Sequence, residues 1–544
     1  MTKSTDNILA TELDGRIFNF RPCLFAAFSA AIGIFVAYLT FRYSLSAWWC
    51  LLVLPVGGLP YVLLKRKSAL LAAALLIFAF LIGVGGMALK LRSYTSAPIF
   101  TQTVTVVGKV TKVEFDGGIT IDNLSINGEK VDGKLFLVYA GDGIRLSDLV
   151  RVRGKILTEN SVLDLSDGRA SNVVSDIRFR MTGIENAESI GRQFDLFLWI
   201  RERMTDTIYN GMSQDSAAVT VALTMGDTSG IDGAFLENVR FGGIGHIFAV
   251  SGLHVGSLYA FCLWLSSRNK FIRDRSVLRF ILIALTLFCY GGICGFSSSV
   301  MRAFLMCMIV HMTKLIGVKT DTLENVGVAA CILFLLRPAT LFEAGFQLSF
   351  TACLSIGAFS KPFARIINGR VQSVVNSLKK ENAEEEKEDK NGFRLPPSYW
   401  EQARGKFIDL LGVTLGAQVL TVPILFRTFG YISPWGFLLN LLIVPLVSTA
   451  FSPILAIVAI SSVLPILSGG LLYFIELFIA GIALPFEAFS FGVNRFFEDA
   501  EIATGLAYYV IVLIICEKCN LSKRLKKCIV VTFFLIFLFS LIFS

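Results

Sequence analysis

The sequence predicts a polytopic α-helical membrane protein with a small all-β, extracytoplasmic domain inserted near its amino end. Three observations predict it. Apolar runs near 20 residues recur along the chain, each long enough to cross a hydrocarbon core of about 30 Å. Hydrophobic residues make up 54% of the 544 and charged residues only 17%, against roughly a quarter charged in soluble domains. Between the third and fourth apolar runs, the stretch from Thr101 to about Arg180 changes to short alternating segments separated by turn signals.

Three spans open the chain, at about 23–42, 47–64 and 69–90. The first lacks a small-residue cleavage site and is followed at once by another, so it reads as a retained anchor rather than a signal peptide. The loop "KRK" (Lys65 to Lys67) is the strongest local positive charge. It belongs on the cytoplasmic side, which puts the N-terminus inside and the next segment outside. The alternating runs "TVTVVGKVTKVEF", "GKLFLVYAG" and "LVRVRGKIL", punctuated by "DGG", "NGE" and "GDG", indicate five or six strands closing into a barrel. Eleven Lys/Arg from Lys109 to Arg180 balance eleven Asp/Glu, so the basic surplus of a nucleic-acid-binding domain is missing there. The net charge of +9 lies mostly in short loops, as the positive-inside rule requires of any such protein.

A stretch at about 191–212 has charges recurring on one face and reads as an interfacial amphipathic helix. Further spans are expected near 244–265, 277–296, 299–317, 324–338, 341–358, 407–430, 434–460, 464–490, 503–516 and 528–543. That alternation delivers "RNKFIRDR", the 361–406 segment and "KCNLSKRLKK" to one side, which their charge demands of the cytoplasm. The run "KKENAEEEKEDKNG" is too polar to fold alone and reads as a solvated tether. The domain reading is therefore a three-helix region at 1–97, the β-domain at 98–185, and amphipathic connecting helices at 186–232. A first helical part at 233–360, a charged linker at 361–406 and a second helical part at 407–544 follow. Ten of the eleven cysteines lie in or beside apolar segments, where cysteine acts as a small hydrophobe. "CEKC" (Cys516 to Cys519) has a metal-like spacing but no second pair, so no metal or other cofactor is expected.

Polar residues inside apolar segments carry the functional signal, because the bilayer makes them expensive. The chain has three histidines, and "GGIGHIFAVSGLHVGSLYAF" (Gly242 to Phe261) holds His246 and His254. On one continuous helix Ser251 and His254 share a face, and His246 lies two turns earlier, offset by about 80°. Gly252 and Gly256 then form a small-xxx-small helix contact. Alternatively the Ser-Gly pair breaks the helix, as half-helices do around a site at membrane depth. "GGICGFSSSVMRAFLM" places Gly291 and Gly295 at helix-contact spacing and Arg302 one turn into a span. Arg302 either snorkels to the interface or offers a fixed positive charge to a pore. Glu343 stands near a span entrance with Gln347 inside it, and Asn440 is a lone amide ahead of the helix-kinking Pro445. Together these residues indicate a bundle with a polar interior.

"LTMGDTSGIDGAFLENVRFGGIGHIFAVSGLHVG" (Leu223 to Gly256), "SSSVMRAFLM", "RPATLFEAGFQLSFTACLS" and "NLLIVPLVS", in that order, resemble blocks of the ComEC family of competence proteins. The resemblance covers nearly the whole chain. It implies a multi-pass channel of the bacterial inner membrane that conducts single-stranded DNA into the cytoplasm during natural transformation. It also implies an OB-like fold for the β-domain. On this reading His246, Ser251, His254, Arg302, Glu343, Gln347 and Asn440 line the path, while Gly252, Gly256, Gly291 and Gly295 shape helix contacts. The implied partners are single-stranded DNA, membrane lipid, DNA-delivery and cytoplasmic motor proteins, and further copies of the chain. Many relatives carry a C-terminal metallo-β-lactamase-like domain; no histidine follows His311 here, so that nuclease, and any catalytic residue, is expected to be absent from this chain. Two alternatives remain open. A transporter of a small polar solute would use the same helices, although no inverted repeat pairs the halves. An intramembrane serine hydrolase would need Ser251 and His254 to meet, whereas side by side on one helix they point outward, without a G-x-S-x-G elbow.

Overall fold

The computed structural model describes residues 21–42, 69–95, 102–113, 118–139, 144–157, 176–318, 321–381, 399–429 and 436–488. The expected spans at 47–64, 503–516 and 528–543, the "KRK" and "KCNLSKRLKK" loops, "CEKC" and the centre of the acidic tether lie outside the described residues.

Helices α1 (Pro22–Arg42) and α2 (Ala69–Thr95) are apolar all round and pack as a pair. Their crossing is set by two glycines: a Cβ on Gly33 would fall 2.3 Å from the Phe80 carbonyl oxygen, and one on Gly83 would fall 2.3 Å from that of Ala30. Glycine there lets the backbones meet, the usual device where lipid offers no hydrophobic drive to association.

The strands β1 (Thr103–Val113), β2 (Gly118–Ile126), β3 (Glu129–Val131), β4 (Lys134–Val138), β5 (Asp148–Leu157) and β6 (Ile177–Arg192) follow. Pairings run β1-β5-β6-β4-β2, and β2 pairs back to β1, so five strands close into a small barrel with β3 appended to β2. Every pairing is antiparallel except β4–β6. The β2–β3 hairpin turns on Asn127 and Gly128, both at positive φ, as a two-residue type I′ loop requires. Alternate residues fill the interior, among them Val106, Ile121, Leu135, Val152 and Phe179. The strand β6 runs to Arg192, beyond the expected domain end at 185, and feeds almost directly into a helix.

That helix, α3 (Leu196–Gly211), is capped by Asp195, whose carboxylate accepts from the N–H groups of Phe197 and Leu198. It buries Met204 and Ile208 while Leu196 and Trp199 stay exposed, the one-sided pattern of a helix at an interface. The next helix, α4 (Gln214–Met225), corrects the amphipathic expectation for 186–232, since eight of its twelve residues are buried.

Then come α5 (Gly233–Phe241), α6 (Gly252–Arg268), α7 (Ser276–Ile293), α8 (Ser298–Ile316) and α9 (Thr322–Leu336), with α10 (Ala344–Glu381), α11 (Tyr399–Phe429), α12 (Gly436–Val463) and α13 (Ser468–Ala488). Six of the described helices, α1, α2, α7, α8, α11 and α12, are long and apolar enough to cross a membrane. The chain is a polytopic helical membrane protein with a small β-barrel region. The segment 361–406, expected as a charged linker, is helical at both ends: α10 continues through Pro362 to Glu381, and α11 begins at Tyr399. Two helical cores form, one around α3 to α8, α12 and α13, the other around α1, α2, α9 and the start of α10. In the second, α9 receives the amino end of α1. Glu324 accepts from the N–H groups of Cys23 at 2.9 Å and Leu24 at 3.4 Å, and Asp321 pairs with Arg21 at 2.6 Å.

Candidate functional site

The stretch Gly242 to Phe261 is not one helix. The helix α5 ends at Gly242, Gly243 turns the chain at φ 74°, a 3-10 turn covers Gly245–Ile247, and α6 starts only at Gly252. Of the two sequence readings, the broken helix is the one observed, and the two-turn, 80° relation of His246 to His254 falls with the other. Ser251 is the N-cap of α6. Its Oγ accepts from the Leu253 N–H at 3.3 Å, and its own N–H donates to His254 Nδ1 at 3.1 Å. This is a capping box with histidine in the place of the usual Glu or Gln.

The cap fixes the histidine's chemistry. Nδ1 takes the Ser251 N–H and stands 3.2 Å from Ser251 Oγ, so the neutral ring carries its proton on Nε2. That N–H is buried with no partner among the described residues, and the ring packs edge-to-face on Phe451, centroids 4.7 Å apart. Contrary to the outward side-by-side expectation, Ser251 and His254 do meet. The hydrolase reading gains nothing from it: Nδ1 already accepts a backbone N–H, and no described carboxylate bonds Nε2 to orient a base.

His254 is 0% exposed, whereas His246 is exposed. Ala249 and Gly252 are exposed on the same break. The helix α12 backs it: Asn440 Nδ2 reaches the Gly243 carbonyl at 3.5 Å, and Asn440 Oδ1 is buried without a partner among the described residues. One turn along α6, Ser257 donates to the Ser448 carbonyl and lies 2.9 Å from Ser452 Oγ. His246, Ser251, His254 and Asn440 thus form one group.

Arg302, Glu343 and Gln347 form a second. Arg302 is 1% exposed, so it neither snorkels nor presents its charge openly to a pore. Its Nη2 donates to the Gly345 carbonyl at 2.8 Å, and its Nη1 stands 3.8 Å from Glu343 Oε2. Gln347 Nε2 donates to the Leu341 carbonyl at 3.0 Å and so braces the start of α10. The two groups touch through α8, since a Cβ on Gly252 would sit 3.8 Å from that of Ala303. Gly256 finds nothing within 4 Å among the described residues, so no close helix contact depends on it. Gly291 and Gly295 also fail as a helix-contact pair, because α7 ends at Ile293 and Gly295 turns the chain at φ 69°. The close approach falls on Gly292, where a Cβ would meet the Phe197 ring at 2.4 Å.

Sequence reasoning missed the buttress behind the break. Arg201 of α3 pairs with Asp227 at 3.0 Å, and Gly226, at φ 74°, lies against Val250 just before Ser251. Burial alone would raise the Asp227 carboxyl, but the Ser229 hydroxyl and N–H and the Arg201 guanidinium hold it below the usual carboxylate range. The signal was present in "MGDTSG": a helix-ending glycine followed by an Asp-Ser turn. Among the described residues no group of three or more His, Cys, Asp or Glu could hold a metal.

A family model described as "Competence protein" matches residues 223–520, more than half of the chain and both polar groups. The chain belongs to the competence protein family. This competence protein is 29% identical over 200 residues to the ComE operon protein 3 of Bacillus subtilis, covering 37% of this chain and 25% of that protein. It is also 30% identical over 120 residues to the uncharacterized protein MG316 homolog of Mycoplasma pneumoniae, covering 21% of this chain and 29% of the other. The matched stretches therefore span under a third of either relative's length. No solved structure matches.

Proposed function

We propose that this competence protein conducts single-stranded DNA across the bacterial inner membrane into the cytoplasm during natural transformation, acting as a channel rather than an enzyme. The observation that carries the reading is the break at Gly242–Ser251. Inside the family's own segment, it leaves His246 and Gly252 exposed, with Gly252 against Ala303, the neighbour of the buried Arg302. A strand with one negative charge per phosphate needs a polar, partly cationic path, and a broken helix supplies backbone polar groups where a continuous helix would hide them. In the proposed topology the N-terminus is cytoplasmic and the barrel extracytoplasmic. The barrel is OB-like: with β3 set aside, its strand order and its single parallel pairing, β4–β6, support that reading. OB-folds bind oligonucleotides or oligosaccharides, but the balanced charge of this one favours gating or docking of a DNA-delivery protein over capture of DNA. A cytoplasmic motor, and further copies of the chain, complete the proposed partners.

The test is a clean deletion in a naturally transformable host, assayed for labelled DNA reaching the cytoplasm. Loss of internalised label is expected, and normal uptake overturns the proposal. Replacing Ser251 by Ala should leave uptake largely intact, whereas an intramembrane serine hydrolase would lose its activity.

A further inference from the structure

We infer that the amino ends of α6 and α10, together with Arg302 of α8, form a binding site for a phosphodiester anion inside the helical bundle. The two helices begin against the same turn of α8. A Cβ on Gly252, the first residue of α6, would lie 3.8 Å from the Cβ of Ala303; one on Gly345, the second residue of α10, would lie 3.6 Å from Arg302 Nη2. Both glycines are exposed, so no side chain shields their backbone.

A helix start leaves its first N–H groups without internal acceptors and carries about half a positive charge, which makes it a ready anion site. The helix α10 contributes most. It runs for 38 residues, and its first internal bond goes from the Gln347 N–H to the Glu343 carbonyl, so the N–H groups of Ala344, Gly345 and Phe346 precede the ladder. At α6 Ser251 already takes the Leu253 N–H, which leaves that of Gly252.

The independent sign of a ligand is Arg302. It is 1% exposed, yet among the described residues its Nε and Nη1 have no hydrogen-bond partner, and neither does Glu343 Oε2. The pair stands 3.8 Å apart, too far for a hydrogen bond. Apart from the Nη2 bond to the Gly345 carbonyl and the Phe346 ring 5.9 Å from the guanidinium, the bonding capacity of the two opposite charges is unused, a costly arrangement for a native interior. A phosphodiester offers two non-bridging oxygens that match the guanidinium fork and the N–H groups of Gly345 and its neighbours. Glu343 is then the resident competitor. It neutralises Arg302 when the site is empty and keeps phosphate binding weak, as a path passing many phosphates in turn requires.

The inference deepens the proposed reading and rests on it for the source of the ligand; the site itself rests on the geometry. Its test is calorimetric titration of the full chain, in nanodiscs of zwitterionic lipid, with dimethyl phosphate as the probe. Millimolar binding is expected, weakened by about tenfold or more in Arg302→Gln and strengthened several-fold in Glu343→Gln. Equal affinity with and without Arg302 overturns the site. If Arg302→Gln does not fold, Glu343→Gln decides alone: tighter binding supports the site, and unchanged or weaker binding overturns it. Two further arms separate the sources of the phosphodiester. Weaker apparent binding in phosphatidylglycerol discs assigns the site to a lipid headgroup, competition by a short oligothymidylate assigns it to a nucleic-acid strand, and indifference to both overturns the phosphodiester assignment. A chain that imports DNA while its dimethyl phosphate affinity ignores Arg302 loses this site and keeps the uptake reading. One that binds but does not import does the reverse.

Discussion

Replacing Glu324 by Ala should release the amino end of α1 from α9, 300 residues away in sequence. Glu324 accepts the N–H groups of Cys23 and Leu24, which is a helix N-cap supplied from a distant element. Losing an N-cap side chain costs about 0.5–2 kcal/mol, and losing a negative charge at a helix start about 0.3–1 kcal/mol more. The sum, about 1–3 kcal/mol, raises local opening roughly 5- to 150-fold at 1.4 kcal/mol per decade. The amides of Cys23 and Leu24 are built-in reporters, since each donates to Glu324. Amide hydrogen exchange at Cys23 and Leu24, resolved by peptide mass spectrometry, follows the opening equilibrium when reclosing outpaces exchange. Glu324→Gln, which keeps an acceptor oxygen but loses the charge, should fall between wild type and Glu324→Ala. Cys294, buried in the other core, should keep its rate in both variants. An unchanged Cys23 rate in a folded Glu324→Ala chain would refute the cross-chain cap.

Two other perturbations separate neighbouring causes. Gly83→Ala drives a methyl into the Ala30 carbonyl and should destabilise the α1–α2 pair by about 1–3 kcal/mol, read as a lower melting temperature in detergent. Gly85→Ala, with nothing within 4 Å among the described residues, should melt as wild type; equal melting of both variants would remove the close-approach argument. At Asp195, burial tends to raise the carboxyl, but the Leu198 and Phe197 N–H groups and Lys109 outweigh it and leave it below its ordinary range. A depressed carboxylate contributes stability that is full above its unfolded pKa and lost as pH falls through the folded one. The α3 cap should therefore hold at neutral pH and fail only in acid below about pH 4. Asp195→Ala should cost about 1 kcal/mol at neutral pH and flatten that acid limb in thermal melts, and an unaltered acid limb would contradict the assignment.

Much of the architecture was legible because lipid imposes coarse rules on sequence. The runs at 277–296 and 299–317 end at charge and glycine, and α7 and α8 end within about three residues of them. The barrel was legible from its period-two strands and its Asn-Gly turn. The break before α6 was harder to see, since apolar residues lie on both sides and hydropathy is blind to backbone direction. Its signal was the S-x-x-H at Ser251–His254, a capping box disguised by histidine. The meeting of Arg302 with Glu343, and the contacts of Gly33, Gly83 and Gly292, depend on partners far along the chain, which no local pattern encodes. The α10 extension was misread because an amphipathic helix rich in Lys and Arg has the composition of a tether until its periodicity is counted.

The joint between barrel and bundle is short and tied on both sides, the layout of a crank. The strand β6 passes its direction to α3 within three residues, and Lys109 on β1 grips the capping Asp195 at 3.2 Å while Arg192 grips Glu202. At the far side α3 is bolted down by Arg203 to the Ser462 carbonyl at 2.9 Å, and Phe197 is wedged on Gly292. A load that tilts the barrel must tilt α3, and the wedge at Gly292 delivers that torque to the turn from which α8 and Arg302 set out.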